Sequence, residues 1–589
     1  MTGKSQINHL KILSSFLLLL LSVAFISCSN EKTEENLYLT DTESIQKGKV
    51  LFTQYCASCH DFSQNLIGPN LSGATQVAGH DWLKKFIVNA PEMIQSGDAR
   101  SVSLYEKYKQ YMPAFPMLKD EEVENILAYM HTYQENPETK TASLALGEPL
   151  SNPIPQKIES SGLTMIMEKW KTAPPTAKEG IKARINRMVA IEQNGIERMF
   201  VNDLRGNLYE ITDGQFKVFM DMKARTENFM DAPGWGSGLA HFEFHPEFNE
   251  NGIFYTSHTE KPGSGKPDFY YADSIKVTVQ YVLTEWKMND PTAEEFSGVR
   301  REMMRVNMVT QIHGMQDINF NPTAQPGDDD YGLLYIGIGD GGAAFGGHPN
   351  IPHGKDKVWG SVLRIDPMGS NSKNGQYGIP DINPFVNDPE AVGEILCFGF
   401  RNPHHLAWHP TKKVMYITDI GQHQVEEINI MVPGGDYGWP EREGTFAIST
   451  AGEAEHVYSL PEGNTDNFIY PVAQYDHDEG NAIVGGQVYH GEKMPQLKNK
   501  YILGDIVNGR IFFVDTDELA LGSQAPIQSL NLRLQNESDT TSFQSLSGVQ
   551  RVALRFGVDT DNELYLFTKS DGVIYKAVGC ESNNMAMNR

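Results

Sequence analysis

The chain has 589 residues, of which 40% are apolar and 10% aromatic, enough to fill sizeable cores and to exclude wholesale disorder. Its formal net charge of -26 excludes a nucleic-acid face built on a Lys/Arg excess. At ~100–200 residues per domain the length predicts several domains, and the acidity is that of an ordinary solvated surface, with a basic redox partner as the alternative.

Lys4 and Lys11 precede an apolar run from Phe16 to Ile26, too short for a ~20-residue membrane span. That pattern predicts an export signal over 1–28. The run ends in Phe25-Ile26-Ser27-Cys28, which resembles a bacterial lipobox with Cys28 as the lipidated first residue of the mature protein. Phe25 stands where Leu is usual, so a plain cleaved signal peptide is the alternative. The expected location is the bacterial cell envelope, periplasmic or cell-surface, with the membrane reached through lipid alone. Five cysteines in so long a chain form no disulfide framework. Cys397 and Cys580 read as buried thiols, their pairing left open.

Cys56-Ala57-Ser58-Cys59-His60 is the strongest signal in the chain. Two thiols at this spacing add to the vinyl groups of one haem, and the adjacent His60 becomes the proximal iron ligand. Gly68-Pro69-Asn70-Leu71 follows at loop distance. From about Glu43 to Tyr133 the chain resembles the class I cytochromes c, in which the proline carbonyl holds the proximal imidazole. That resemblance implies an all-α domain over 43–134 and a methionine as sixth ligand. Met112, in Met112-Pro113-Ala114-Phe115, is the first choice and Met117 its rival. A closing helix is predicted over 120–133, with Val123, Ile126, Leu127 and Met130 on one apolar face.

Periodicity then vanishes among Pro137, Pro149, Pro153 and Pro155, which predicts a linker over 135–161. Beyond it an aromatic strand recurs six times, around Phe200, Phe254, Tyr335, Tyr416, Ile502 and Tyr565. The repeat predicts an all-β domain over 162–580 with six sheets arranged radially, a six-bladed β-propeller; a sandwich or two barrels would fit the periodicity alone.

Several segments narrow the choice: Phe244-His245-Pro246, Tyr335-Ile336-Gly337-Ile338-Gly339-Asp340-Gly341, Gly399-Phe400-Arg401-Asn402-Pro403, Asp419-Ile420-Gly421-Gln422 and Gly434-Gly435-Asp436-Tyr437-Gly438-Trp439-Pro440. In this order, from about Arg184 to Ala577, they resemble the glucose/sorbosone dehydrogenase family. Its best-known members are six-bladed propellers that oxidise aldoses with pyrroloquinoline quinone (PQQ) and Ca²⁺. The resemblance implies His313 as the base for the sugar hydroxyl, oriented by Asp340. It implies Arg401 and Asn402 at the reactive edge of the quinone, and Arg551 at a quinone carboxylate. The backbone carbonyls of Gly421 and Gln422 would ligate Ca²⁺. Two expected cations are missing: Val507 stands where glucose dehydrogenases of the family have lysine, and Ala553 where they have a second arginine. Arg510 and Arg555 are the available substitutes, and His241 with Met315-Gln316-Asp317 replace small or apolar residues near the pocket.

The reading is an exported quinohaemoprotein dehydrogenase: an aldose or related polyol is oxidised in the propeller, and one haem c passes the electrons to an external redox partner. The alternative is a haem c carrier fused to a non-catalytic propeller that binds a glycan or a protein.

Overall fold

The computed structural model describes residues 37–56, 60, 62, 68–108, 112–133, 146–178, 181–232, 236–449 and 456–582. The export signal, Cys28, Cys59, residue 134 and residues 135–145 of the expected linker lie outside them.

The N-terminal region is helical: α1 (Thr42–Tyr55), α2 (Ala74–Val77), α3 (His80–Gln95), α4 (Ala99–Tyr108) and α5 (Asp120–His131). Asp41 caps α1 by accepting the Ser44 amide at 2.9 Å. Asp120, Glu121 and Glu122 occupy the positive end of α5, and Glu122 accepts the Lys119 amide at 2.8 Å. The apolar face of α5 is buried as its spacing predicts: Val123, Ile126, Leu127 and Met130 pack with Phe52, Leu83 and Ile87. Each such side chain contributes roughly 1.5–3 kcal/mol through burial. Gly48 sits where α1 crosses α5; a Cβ there would overlap the Asn125 carbonyl, so the crossing requires glycine.

Residues 146–158 run extended along the second, β-rich region. The Leu150 amide donates to the Val457 carbonyl at 2.9 Å, and that of Ile154 to the Asp476 carboxylate at 3.2 Å. The strand Glu159–Thr172 starts inside the span read as linker. Its polar opening Glu159-Ser160-Ser161-Gly162 hides it in the sequence, whereas Met165, Ile166 and Met167 further on are buried.

The rest of the region is built from runs of four strands. The innermost strands are Ile185–Gln193, Leu239–Phe244, Met315–Phe320, Pro403–Trp408, Ile483–Val488 and Leu554–Val558. Each packs against the next, and the last returns to the first, which makes the domain propeller-like. The second strands are Ile196–Asp203, Ile253–Glu260, Leu334–Ile338, Met415–Asp419, Lys500–Asp505 and Leu564–Thr568. These are the six aromatic strands of the sequence; Phe200, Phe254, Tyr335, Tyr416, Tyr501 and Tyr565 are all buried between sheets.

Runs one to four are separate four-stranded sheets, while the fifth and sixth are joined in one eight-stranded sheet. The join is Glu159–Thr172, which pairs parallel to Gln528–Leu534 and antiparallel to Val573–Ser582. A small three-stranded sheet within 442–458 branches from the fourth run. Cys397 and Cys580 are buried and unpaired, in different sheets.

One contact repeats in every run. In each run the residue after the second-strand partner of the first innermost residue donates its amide to the carbonyl just before the innermost strand. The pairs are Leu204 to Arg184, Thr259 to Gly238, Gly339 to Gly314, Ile420 to Asn402, Ile506 to Ala482 and Lys569 to Ala553. These six corners ring one mouth of the domain.

Candidate active site

The helical region encloses a slot lined by Phe52, Leu83, Ile87, Cys56, His60, Met112 and Met117. His60 Nδ1 lies 2.9 Å from the Pro69 carbonyl, to which it donates, leaving Nε2 as a lone-pair ligand. Burial pushes the His60 pKa down, which keeps that lone pair available at neutral pH. A Cβ at Gly68 would overlap the imidazole, so glycine is what lets the proline carbonyl close on the ring. A neutral imidazole, a buried Cys56 thiol and thioethers around an apolar slot fit a c-type haem. Both methionines line the slot.

The slot does not end at the helices. It belongs to a cavity of about 1360 Å³ that continues onto runs six and one of the β region, at Arg184, Arg205, Asp231, Arg551 and Ser570. The Tyr108 ring lies edge-on to His423, with centroids 6.3 Å apart.

Across the mouth, His313 and Asp340 meet. His313 Nδ1 is 2.7 Å from Asp340 Oδ1, which also accepts the Gly342 amide at 2.7 Å, and Asp340 Oδ2 accepts from Trp439 Nε1 at 3.2 Å. The carboxylate thus fixes the tautomer with the proton on Nδ1 and Nε2 free to act as a base. Burial lowers the His313 pKa, with the Arg401 charge adding to it and Asp340 opposing. The imidazole is therefore neutral at pH 7. Its backbone has φ 51°, a left-handed conformation for a residue with a side chain.

Arg401 is nine-tenths buried. Its Nε donates to Gln422 Oε1 at 2.8 Å and Nη1 to the Ile420 carbonyl at 2.9 Å. Among the described residues its Nη2 has no acceptor. The Asp419 carboxylate accepts the amides of Arg401 and Asn402 at 3.0 and 2.6 Å. Asn402 Oδ1 is buried with no hydrogen-bond partner, an orphaned atom of the kind a bound ligand satisfies.

The loop 421–425 wraps one carboxylate oxygen. Glu443 Oε1 accepts the amides of Gln422, His423, Gln424 and Val425 at 2.9–3.1 Å, while Oε2 is buried without a hydrogen-bond partner. Neither the Gly421 nor the Gln422 carbonyl accepts a hydrogen bond among the described residues. Around the loop, burial and neighbouring carboxylates raise Asp419 and Glu426 well above the usual carboxylate range and push Glu427 up to about 7. Crowded carboxylates and open carbonyls fit a hard, oxygen-ligated cation, which would relieve the repulsion. Among the described residues no three His, Cys, Asp or Glu side chains converge as a metal cluster, and a cation here would draw on the open carbonyls.

The opposite side of the mouth is cationic. Arg551 lines the cavity as its position implies. Arg555 is buried, donating from Nε to Asn186 Oδ1 at 3.0 Å, and its pKa falls to about 9 through burial and the Arg551 charge. Of the two available substitutes, Arg510 already has a carboxylate partner, its Nη1 donating to Glu479 Oε2 at 2.6 Å. Val507 and Ala553 are both buried. His241 and Asp317 lie deeper, between innermost strands, where Asp317 sits 2.8 Å from His241 Nε2 and 2.9 Å from His405 Nδ1.

Sequence reasoning missed Glu443, the Gln422 side chain, Trp439 and Lys569. Glu443 gives no signal, since its role appears only when a distant strand folds under the loop. Lys569 could have been found by aligning the ends of the six aromatic strands, where it breaks a run of uncharged residues.

A model of the glucose/sorbosone dehydrogenase family matches residues 187–542, and one of cytochrome c matches 45–134. The HIPL1 protein of Arabidopsis thaliana is 28% identical over 396 residues, 58% of this chain and 53% of that protein. The aldose sugar dehydrogenase YliI of Escherichia coli (strain K12) is 24% identical over 312 residues, covering 52% and 73%. Quinoprotein glucose dehydrogenase B of Acinetobacter calcoaceticus is 28% identical over 299 residues, covering 47% and 55%. The chain spans about half the length of the HIPL-type relatives it matches. With a family model over most of its β region and a helical haem-type domain ahead of it, the chain belongs to the glucose/sorbosone dehydrogenase family, fused to a cytochrome c domain.

Proposed function

We propose that the protein is an exported quinohaemoprotein dehydrogenase that oxidises an aldose or related polyol and delivers the electrons to a covalently held haem c. The observation that carries this reading is the single cavity joining the haem slot at His60 to the cationic side of the mouth at Arg184, Arg205 and Arg551. Kinship with enzymes named aldose sugar dehydrogenase and quinoprotein glucose dehydrogenase supports the substrate class and the cofactor.

PQQ, when bound, supplies the acceptor for the hydride leaving the substrate carbon, with Ca²⁺ polarising it. The chain's own residues do the rest. His313 Nε2 takes the hydroxyl proton, and Asp340 holds the ring in the tautomer that leaves Nε2 unprotonated. Arg401, steadied by Gln422 and Ile420, turns Nη2 toward the charge that develops at the reactive edge. Asn402 offers its amide to the same edge. The carbonyls of Gly421 and Gln422 would hold the Ca²⁺, and Arg551 would take a carboxylate. His60 and Met112 ligate the haem iron, with Cys56 and Cys59 as its thioether anchors.

We read the β region as a six-bladed propeller whose sixth blade is completed by Glu159–Thr172. Export by residues 1–28 and a lipid on Cys28 place the protein in the cell envelope, where an external partner takes the electrons one at a time.

The absent cations at Val507 and Ala553 favour a second reading, a propeller that binds a glycan or protein without catalysis. The deciding experiment records the visible spectrum of the haem-loaded protein with PQQ and Ca²⁺ as aldoses are added. A reduced α-band growing with sugar, and lost in His313→Ala, supports the dehydrogenase. Reduction by dithionite alone supports the binding module.

A further inference from the structure

Segment 434–440 is stitched by its backbone to the approach to Arg401. The Phe398 amide donates to the Gly435 carbonyl at 3.0 Å, that of Tyr437 to Phe398 at 2.9 Å, and that of Trp439 to Gly399 at 2.8 Å. This pairing delivers the Trp439 indole, only 2% exposed, between two functional groups from different runs. Asp340 follows the second strand of run three, and Arg401 precedes the innermost strand of run four. Phe345 packs against the indole with ring centroids 5.8 Å apart, and Ala344 and Ile448 complete an apolar seat that fixes the ring.

The indole meets one group with its edge and the other with its face. Its Nε1–H donates to Asp340 Oδ2 at 3.2 Å, whereas Oδ1 of the same carboxylate faces His313 Nδ1 and accepts the Gly342 amide. The Arg401 guanidinium lies over the ring, 5.9 Å from its centroid, within cation–π range. The Asp340 amide donates to the Arg401 carbonyl at 2.7 Å, so the indole closes a triangle whose third side is backbone. A tryptophan kept for packing could satisfy its N–H on any carbonyl. Here it is used on the carboxylate that orients the base. The charged groups that face His313 are Arg401 and Asp340, and the indole touches both.

We propose that Trp439 is a positioning residue that sets the base and the arginine together: its N–H holds the Asp340 carboxylate on His313, and its face holds the Arg401 guanidinium toward the reactive edge. The inference rests on the dehydrogenase reading for the roles of His313 and Arg401. Proton removal and charge stabilisation must occur at one fixed separation, and a single rigid side chain in contact with both supports sets it.

The test uses the full-length, haem-loaded protein and compares wild type with Trp439→Phe, which keeps a ring and loses the N–H, and Trp439→Leu, which loses both. NMR of ring-labelled histidine, in the quinone-free protein with its haem reduced, reads the His313 titration; its resonance is the one lost in His313→Ala. In Trp439→Phe that titration should move to higher pH, because a carboxylate freed of the indole holds the imidazole proton more tightly. With PQQ and Ca²⁺ added, the acid limb of sugar-driven haem reduction should move the same way. The maximal rate should fall about threefold in Trp439→Phe and about thirtyfold in Trp439→Leu, the difference being the lost ring face under Arg401. A His313 titration unmoved in Trp439→Phe overturns the proposal, even with a lowered Tm, and leaves the dehydrogenase reading intact wherever wild type still reduces its haem with sugar. Equal maximal rates in the two variants also overturn it, since Arg401 would then be independent of the ring. If the titration moves but no aldose reduces the haem of wild type, the hold on the base stands and the dehydrogenase reading falls.

Discussion

The two sides of the propeller mouth are built on the same corner and carry opposite charge. Runs four and five gather Asp419, Glu426, Glu427, Glu443 and Asp505, all buried, whereas runs six and one gather Arg184, Arg551, Arg555 and Lys569. Each side is strained when considered alone: carboxylates are driven toward protonation on one, and a lysine toward neutrality on the other. A scaffold selected for stability would have interleaved the two sets. Segregating them gives the mouth a polarity that matches the Ca²⁺ and the polycarboxylate quinone of the proposed function.

The largest effect should come from His313, across the mouth from the cationic side. His313→Ala should lower sugar-driven haem reduction by about 10²–10⁴-fold with the haem spectrum unchanged, measured by stopped-flow at the α-band. Asp340→Asn removes the charge that opposes burial at His313. The acid limb of the rate profile should therefore move to lower pH while the maximal rate falls; a limb that stays put would separate Asp340 from the base.

On the acidic side, Glu443→Gln keeps the shape but loses the charge that gathers four amides, and Ca²⁺ affinity measured by calorimetry should weaken about tenfold. The pH dependence of stability is a smaller effect. Glu427 holds a proton up to about 7 in the fold but releases it near 4.5 when unfolded. Stability from such groups is full below 4.5 and lost as pH rises through 7. His241 and His477, pushed down to about 4 by burial, act oppositely below 6.5. The clean window is therefore pH 6.5–8, where the Ca²⁺-free protein should lose about 3–5 °C in Tm and the Ca²⁺-loaded protein should not. Arg510→Ala, at a cation held by Glu479 away from the cluster, should change PQQ affinity less than about twofold.

Much of this was legible because its physics is local. The thiol spacing at Cys56, the glycine and proline before the proximal loop, and the i, i+3, i+4, i+7 face of α5 all act within a turn or two. The six aromatic strands were readable for the same reason, since each buries its rings whatever lies beside it. The strand Glu159–Thr172 was hidden because its partners lie about four hundred residues away, at Gln528–Leu534 and Val573–Ser582. The Arg510–Glu479 pair was not legible because the two residues come from different loops. Nothing in the sequence reading singled out Lys569, which only the closure of the ring buries.

The pinning of residues 146–158 along the β region has a kinetic consequence. Twelve residues, 134–145, join that fixed strap to the end of the helical domain. At ~3.5 Å per residue they span at most about 45 Å. On the proposed dehydrogenase reading, a haem tethered within that radius would meet the mouth at a local concentration on the order of millimolar, however dilute the protein. Electron delivery to it would then be a first-order event, and dilution would slow only the later encounter with an outside acceptor.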